Sequence, residues 1–210
     1  MSKVLYIQSS PCPGRSHSIE IADAFVEAYK KANPDDEVMM INLFEKELPT
    51  FDGFKLDAKY KAMHGKKHTP AEKAAWDLIV ELIDEFKSFD KYVFAVPMWN
   101  FGIPYRLKQY LDIIIQPGQS FSYSPDEGYK GLITSRSVFI SYARGGQYPV
   151  GSEYESMDFQ KPYLELALGF IGLTDVKSVV IEPTLMAGPD TAKAKVEEAV
   201  AEAKDLARNF

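Results

Sequence analysis

Residues 4–18, VLYIQSSPCPGRSHS, contain the strand and the loop from which the fold can be inferred. The first five residues carry no charge and are mostly apolar, which is typical of a strand buried on both faces of a sheet. The next ten are polar and include two prolines and a glycine, so they predict a loop. Apolar residues then recur at helical spacing over residues 22–29, and Asn33 with Pro34 predicts the end of that helix.

The same alternation of strand and helix continues along the chain. Four further apolar runs predict strands at residues 38–43, 92–96, 137–141 and 176–181. Helical spacing predicts helices at residues 69–86, 104–114, 158–170 and 190–207. The first of these begins with T-P-A-E at residues 69–72, which resembles a capping box with proline at the first helical position.

Two segments lack a clear pattern. Residues 45–68 have mixed charge and weak periodicity, and we expect an insertion that is partly helical at most. Residues 116–136 are rich in glycine, serine and tyrosine, and we expect a long loop. The pattern predicts a single domain, residues 1–210, that carries both insertions.

Five strands separated by helices predict the fold class α/β, with a doubly wound parallel sheet and helices on both faces. The strand order that suits five such units is 2-1-3-4-5. In that order the chain reverses direction between strands 1 and 3, and ligands bind beyond the carboxyl ends of those strands. Candidate functional residues should therefore follow Gln8 and Val96.

Composition narrows the possible functions. The chain has 210 residues, of which 46% are hydrophobic and 26% charged, as in ordinary globular proteins. Its net charge of -6 argues against nucleic acid or an anionic membrane as partner. The single cysteine, Cys12, excludes an internal disulfide and a cysteine-rich metal site. The start lacks a signal-peptide pattern, and residues 92–105, the longest uncharged apolar stretch, fall short of the ~20 residues of a spanning helix. We expect a cytoplasmic protein.

The loop after strand 1 is a candidate phosphate site. A helix N-terminus offers free backbone N–H groups and a partial positive charge, and phosphate binds there readily. Ser10, Ser16 and Ser18 can add hydroxyl hydrogen bonds. The alternative is that a serine only caps the helix in a polar turn. The loop has neither a dinucleotide fingerprint nor a Walker sequence.

The loops after strands 3 and 4 could bind a flat ring. Met98, Trp99, Asn100 and Phe101 combine a thioether, two aromatic rings and an amide, which suit the faces and edge of a planar heterocycle. Alternatively, the two aromatic rings cap the core. The paired glycines that follow strand 4 allow close backbone approach to a ligand, or form only a turn.

Taken together, these motifs resemble those of the FMN-dependent NADH azoreductases, which are also NADH:quinone oxidoreductases of flavodoxin-like fold. The resemblance covers nearly the whole chain. It rests on K-V-L-x-I-x-S-S at residues 3–10, S-x-S at 16–18, P-M-x-N-F at 97–101, I-P-x-x-L-K-x-Y-x-D at 103–112, G-x-x-F-x-Y at 118–123, R-G-G at 144–146 and L-G-F-I-G at 168–172.

The resemblance implies bound FMN, NADH as electron donor and a homodimer with FMN at the subunit interface. It implies a ping-pong reduction of quinones and azo compounds, the latter cleaved to aromatic amines, without a catalytic side chain or a metal. The residues that would contact FMN form three sets. The phosphate would contact Ser10, Ser16, His17 and Ser18. The isoalloxazine ring would contact Met98, Trp99, Asn100 and Phe101, and its pyrimidine edge would contact Ala143, Arg144, Gly145 and Gly146. We expect Phe121 and Tyr123 to line the acceptor pocket.

Three positions depart from the family pattern, in which tyrosine is frequent at position 99, serine or threonine at 143 and glutamine at 17. This chain has Trp99, Ala143 and His17 there. Trp99 widens the stacking face, and Ala143 removes a side-chain hydrogen bond, so backbone contacts should matter more at that edge. Gly102 should make the loop after strand 3 more pliant.

Two other functional classes remain as alternatives. One is a flavodoxin-type electron-transfer protein without turnover of its own, against which the two long insertions argue. The other is a serine hydrolase with Ser10 as nucleophile. Such a site needs a histidine late in the chain, but His17, His64 and His68 all lie early.

Overall fold

A parallel sheet of five strands forms the centre of the structure, a computed structural model that describes residues 1–186 and 188–210. Its strands are β1 (Lys3–Gln8), β2 (Glu37–Asn42), β3 (Lys91–Pro97), β6 (Ser137–Ala143) and β7 (Asp175–Ile181), in the order β2-β1-β3-β6-β7. A separate antiparallel hairpin consists of β4 (Phe121–Ser124) and β5 (Gly128–Gly131). The predicted α/β fold with a five-stranded parallel sheet is confirmed.

Helices cover both faces of this sheet. They are α1 (His17–Ala32), α2 (Gly53–Met63), α3 (Pro70–Lys87), α4 (Tyr105–Ile114), α5 (Lys161–Phe170) and α6 (Pro189–Ala207). Buried residues of α1 and α6 share one core cluster with the sheet, and those of α3, α4 and α5 share the other. The strands β1, β3 and β6 are buried almost throughout because they have helices on both sides. Within the described ranges, no helix has the length and apolar character needed to cross a membrane.

Local sequence signals account for the helix ends. Thr69 accepts a hydrogen bond from the N–H of Glu72, and the Glu72 carboxylate accepts one from the N–H of Thr69, so the predicted capping box is confirmed. Asn33 caps the carboxyl end of α1, as predicted. The insertion at residues 45–68 contains α2.

Two predicted segments differ in the structure. Residues 116–136 were expected to form a loop, but they carry the hairpin. Phe121 and Tyr123 alternate with two serines along β4, and Gly128 has a φ of 69° at the start of β5. The second difference is the start of α5, which begins at Lys161 because the Asp158 carboxylate accepts hydrogen bonds from the N–H groups of Gln160 and Lys161.

Main-chain atoms of the hairpin lie directly against the turn that follows α5. The N–H of Ile133, just after β5, donates to the carbonyl of Ile171 at 2.9 Å. A Cβ added to Gly131 would lie 2.2 Å from the nitrogen of Gly172. Such a distance is far inside van der Waals contact, so only glycine lets the two backbones approach this closely.

We therefore expect Gly131→Ala to lower the free energy of unfolding by about 1–3 kcal/mol, as overpacking does elsewhere. Gly169→Ala is the matched control, because a Cβ there meets nothing within 4 Å and the residue is helical. That control should leave stability unchanged or raise it by about 0.5–1 kcal/mol. Urea unfolding measures both. A Gly131→Ala midpoint equal to that of the wild type would contradict the close backbone contact.

Candidate functional site

The segments that follow β1, β3 and β6 meet at one edge of the sheet. Gln8 pairs with Ala95, and Pro97 pairs with Ala143, so the three strands end side by side. Beyond the strands, the N–H of Ser9 donates to the carbonyl of Ala95 at 3.1 Å. The structure therefore brings together the three groups of residues that the sequence singled out for ligand binding.

The N-terminus of α1 has no side-chain cap. Ser16 occupies the N-cap position, but its hydroxyl makes no capping hydrogen bond and lies 3.1 Å from the Ser18 hydroxyl. Ser18 is buried and Ser10 nearly so. Because the simple capping role of Ser16 is absent, the backbone N–H groups of the first turn stay available to an anion. This arrangement favours phosphate binding over capping.

His17 lies beside Glu20 at the same helix end. Its Nδ1 is 3.4 Å from a Glu20 carboxylate oxygen, and both side chains are substantially exposed. Glu20 is the acidic residue in the first turn of α1. The two side chains therefore form a rim of the anion site that is open to solvent.

Tyr6 anchors α1 against the sheet. Its hydroxyl donates to a carboxylate oxygen of Asp23 at 2.7 Å, one turn and a half into the helix. Burial raises the pKa of the Tyr6 hydroxyl, and the hydrogen bond to Asp23 raises it further, so this group stays protonated and donates. The position of the helix N-terminus relative to β1 is fixed by this contact.

A tight turn follows β3 at the second part of the edge. Trp99 and Gly102 exchange two backbone hydrogen bonds, of 2.9 and 3.0 Å, so Gly102 closes the turn that it was expected to loosen. The two residues between them, Asn100 and Phe101, have φ values of 46° and 71°. Positive φ is unfavourable for side chains other than glycine, so the turn is strained.

The aromatic rings of this turn do not fill the core. Phe101 is 43% exposed. Trp99 packs at the surface against Phe44 and Tyr105, with ring centroids 5.6 and 6.2 Å away. The alternative in which both rings cap the core is therefore not what the structure shows, and Phe101 remains free to contact a ligand.

At the end of β6, two backbone donors are available. Within the described part of the chain, the N–H groups of Gly145 and Gly146 donate to no hydrogen bond. A Cβ on Gly145 would lie 2.9 Å from the end of the exposed Leu185 side chain, which could move aside. Ala143 is nearly buried and contributes its backbone, whose carbonyl accepts from the N–H of Met98 at 2.8 Å.

Arg144 behaves differently from its glycine neighbours. Its side chain is only 3% exposed and forms ion pairs with Asp158 and Glu182. Its Nε also donates to Gln160. Sequence reasoning missed these three partners, since nothing local marks them. The one available signal was the arginine itself, because a buried guanidinium needs carboxylates nearby.

Phe121 and Tyr123 lie on the hairpin, away from the turn after β3. Phe121 packs on Phe170 of α5 with ring centroids 4.6 Å apart, and Tyr123 is 63% exposed. In the described residues, no hydrogen bond or aromatic pair joins either ring to residues 98–101. Within one chain the structure does not bring this pair to the rest of the candidate site.

A cavity of about 900 Å³ opens beside the same edge, between residues 44–50 and α3. Its lining includes four carboxylates, those of Glu45, Glu47, Glu81 and Glu85, against the cations of Lys46 and Arg106. This excess of negative charge disfavours a phosphate ligand there. In residues 1–186 and 188–210, no cluster of three or more histidine, cysteine or acidic side chains could hold a metal ion.

Comparison with known proteins gives a consistent result. A family profile described as "Flavodoxin-like fold" matches residues 2–207. An FMN-dependent NADH:quinone oxidoreductase of Nitratidesulfovibrio vulgaris is 54% identical over 210 residues, which is all of both chains. A protein of the same name from Desulfotalea psychrophila is 44% identical and covers 97% of this chain and 93% of that one.

Solved structures agree with the sequence relatives. An azoreductase from Bacillus anthracis superposes with a TM-score of 0.91 at 31% identity, covering 100% of both chains. An FMN-dependent NADH-azoreductase from the same species, in complex with FMN, has a TM-score of 0.85 at 29% identity over 99% of this chain and 100% of that one.

Proposed function

The chain belongs to the family with the flavodoxin-like fold, and from this premise we propose that it is an FMN-dependent oxidoreductase that takes electrons from NADH and passes them to quinones and azo compounds. Relatives that are similar along their whole length carry the names of such enzymes. The observation that carries the proposal is the meeting of an uncapped helix N-terminus, an aromatic turn and two free glycine N–H groups at one sheet edge.

The residues at this edge fit the parts of FMN. Ser10, Ser16, His17 and Ser18, with the N–H groups that begin α1, would hold the phosphate. Met98, Trp99, Asn100 and Phe101 would border the isoalloxazine ring. Ala143, Arg144, Gly145 and Gly146 would follow its pyrimidine edge through their backbone. A single phosphate site without a dinucleotide fingerprint favours FMN over FAD.

When bound, FMN supplies the redox chemistry, accepting a hydride from NADH and returning two electrons to the acceptor. The chain supplies position and electrostatics. The N–H groups of Gly145 and Gly146 would donate to the pyrimidine edge, where negative charge accumulates on reduction. Since no protein nucleophile is required, no catalytic side chain is assigned.

Donor and acceptor would use the same face of the ring, beside Phe101. Phe101 is exposed, whereas Trp99 has Phe44 and Tyr105 behind it, so we expect one shared aromatic position for both substrates. The two substrates would then exclude each other, and turnover would be ping-pong. Azo compounds would be cleaved to aromatic amines after successive two-electron reductions.

A homodimer would complete the site. Phe54, Tyr60, Tyr123 and Tyr129 of the two insertions are between 48% and 66% exposed. Aromatic groups this exposed are frequent at interfaces and pockets. Because the hairpin does not reach residues 98–101 within one chain, we propose that Phe121 and Tyr123 serve the site of the partner subunit. Cys12 is an exposed free thiol, which suits the reducing cytoplasm that we propose as its location.

The first prediction concerns the phosphate. FMN should copurify with the protein, and Ser18→Asp should weaken FMN binding by about 1–3 kcal/mol, because a carboxylate would face the phosphate in place of a hydroxyl donor. Fluorescence titration of the flavin measures the affinity. Because Ser18 is buried, circular dichroism and the Ser18→Ala variant must first show that the protein remains folded before the affinities are compared.

Two results would count against the phosphate assignment. One is recovery of FAD as the bound flavin. The other is unchanged FMN affinity in Ser18→Asp while the parallel Ser18→Ala variant is also unchanged.

The second prediction concerns the shared ring face. Initial rates of NADH oxidation at several fixed quinone concentrations should give parallel double-reciprocal lines, because each substrate must leave before the other binds. Steady NADH consumption by the purified protein with quinone would also exclude an electron-transfer protein without turnover. Intersecting lines would show that both substrates bind at once and would refute the shared position.

The third prediction concerns the acceptor pocket. Tyr123→Ala should cost about 0.5–1.5 kcal/mol in the acceptor's kcat/KM, the usual contribution of one aromatic contact. Flavin reduction by NADH should change less. Tyr123→Phe is the matched control, because it keeps the ring and removes only the hydroxyl, and it should leave the acceptor's kcat/KM at the wild-type value.

Sedimentation of each variant distinguishes a role of Tyr123 in the acceptor pocket from a role in the dimer interface. If Tyr123 only packs against the partner subunit, Tyr123→Ala will dissociate or lose FMN before its acceptor kinetics change. A fully active wild-type monomer at assay concentration would overturn the shared dimeric site.

A further inference from the structure

Arg144 is a buried cation, and each of the three nitrogens of its guanidinium donates a hydrogen bond. Its Nε donates to Gln160 at 2.9 Å, one terminal nitrogen to Glu182 at 3.1 Å and the other to Asp158 at 2.6 Å. A buried charge is costly unless it is paired and hydrogen-bonded, and this one is both. The side chain is 3% exposed and each of its three nitrogens donates to a protein acceptor, so the guanidinium is not accessible to a flavin.

The partners of Arg144 hold a short segment, residues 158–160, between the 3-10 turn Glu155–Met157 and α5. Asp158 uses its second oxygen to accept from the N–H of Gln160 at 3.0 Å. The Gln160 side-chain amide donates to the carbonyl of Val96 at 2.9 Å, at the end of β3. Arg144 thereby ties this segment to the sheet edge from two directions.

The residue between these two, Phe159, reaches the candidate ring site. Its N–H is shared between two acceptors, the carbonyl of Phe101 at 2.9 Å and the carbonyl of Met157 at 3.1 Å. Phe101 and Asn100 are the two residues of the turn with positive φ. Strained backbone of this kind persists only where surrounding structure holds it, and the N–H of Phe159 is such a support from outside the turn.

The same guanidinium also supports the loop after β6. Glu182, which pairs with Arg144, accepts a hydrogen bond from the N–H of Tyr148 at 3.2 Å. This contact lies two residues beyond the free N–H groups of Gly145 and Gly146. One buried side chain therefore acts on both loops that would border the flavin ring.

We infer, on the premise of the proposed function, that Arg144 is a positioning residue: through residues 158–160 it holds the turn at residues 99–102 in its strained shape, and it acts on the flavin ring only by way of that turn. The direct link is the hydrogen bond from the N–H of Phe159 to Phe101. Removing this donor should loosen the turn even when every side chain of the site is kept.

Phe159→Pro removes the donor, and Phe159→Ala is its matched control. The Phe159 ring is 63% exposed, and Asp158 before it has the extended backbone (φ -79°, ψ 91°) that a following proline requires. The chain has two tryptophans, so in a Trp76→Phe background Trp99 reports on the turn alone. Acrylamide quenching of Trp99 in the full-length chain, before and after FMN is added, is the readout.

We expect Phe159→Pro to increase the quenching of Trp99 and to weaken FMN binding about fivefold to tenfold, the factor that corresponds to one lost hydrogen bond. Phe159→Ala should change neither. Equal quenching and equal FMN affinity in the two variants would overturn the inference. If the wild type binds no FMN, the proposed function fails, and the quenching comparison still decides whether Phe159 holds the turn.

Arg144→Lys tests the arginine itself. Lysine keeps the charge, but its three N–H donors sit on one nitrogen and cannot reach acceptors that are placed around a planar guanidinium, so Trp99 quenching should rise as in Phe159→Pro. Arg208→Lys is the matched control, because Arg208 pairs with Asp205 at an exposed position. Quenching of Trp99 in a folded Arg144→Lys protein that equals the Arg208→Lys value would overturn the role of Arg144. Should Arg144→Lys not fold, the Phe159 pair remains decisive.

Discussion

The parallel pairing of β1, β3 and β6 is the constraint on which the rest of the structure depends. Parallel strands point their carboxyl ends to the same edge, so segments that are about 90 and 130 residues apart in sequence become neighbours there. Hydrogen bonds continue past the strands, from the N–H of Ser9 to Ala95 and from the N–H of Met98 to Ala143, so the first residues of the loops also lie side by side. A candidate anion site, an aromatic turn and a pair of backbone donors then follow from what each loop contains.

Buried polar contacts tie the loops at this edge to the rest of the fold. Tyr6 fixes the start of α1 through Asp23, and Arg144 connects Asp158, Gln160 and Glu182. Both contacts lie under the loops, one on each side of β3 in the sheet. In the described part of the chain, the N–H groups of Gly145 and Gly146 have no hydrogen-bond partner. A preorganised ligand site needs such unpaired donors held in place by surrounding contacts.

The elements of the central sheet were predictable because each is decided by a local pattern. Apolar runs located β1 to within a residue, and the capping box located the start of α3. The hairpin was missed because its strands are only four residues long and lie between glycines, where alternation is hard to distinguish from a loop. The start of α5 was misplaced because the Asp158 carboxylate, which accepts hydrogen bonds from the N–H groups of Gln160 and Lys161, also forms an ion pair with Arg144, 14 residues away. For the same reason, the backbone donors at residues 145 and 146 could be anticipated from the two glycines, whereas the partners of Arg144 could not, and the role of those donors toward a ligand stays a prediction. The assignment of FMN contacts to single residues stays a prediction.

The close approach of Gly131 to Gly172 holds the hairpin in place without the side chains that the hairpin exposes to solvent. Main-chain atoms on both sides make the contact, with Phe121 against Phe170 beneath it. Outward-facing side chains such as Tyr123 and Lys130 take no part in that docking. Under the proposed pocket assignment, replacement of these side chains would change which oxidants bind while the docking of the hairpin stays the same.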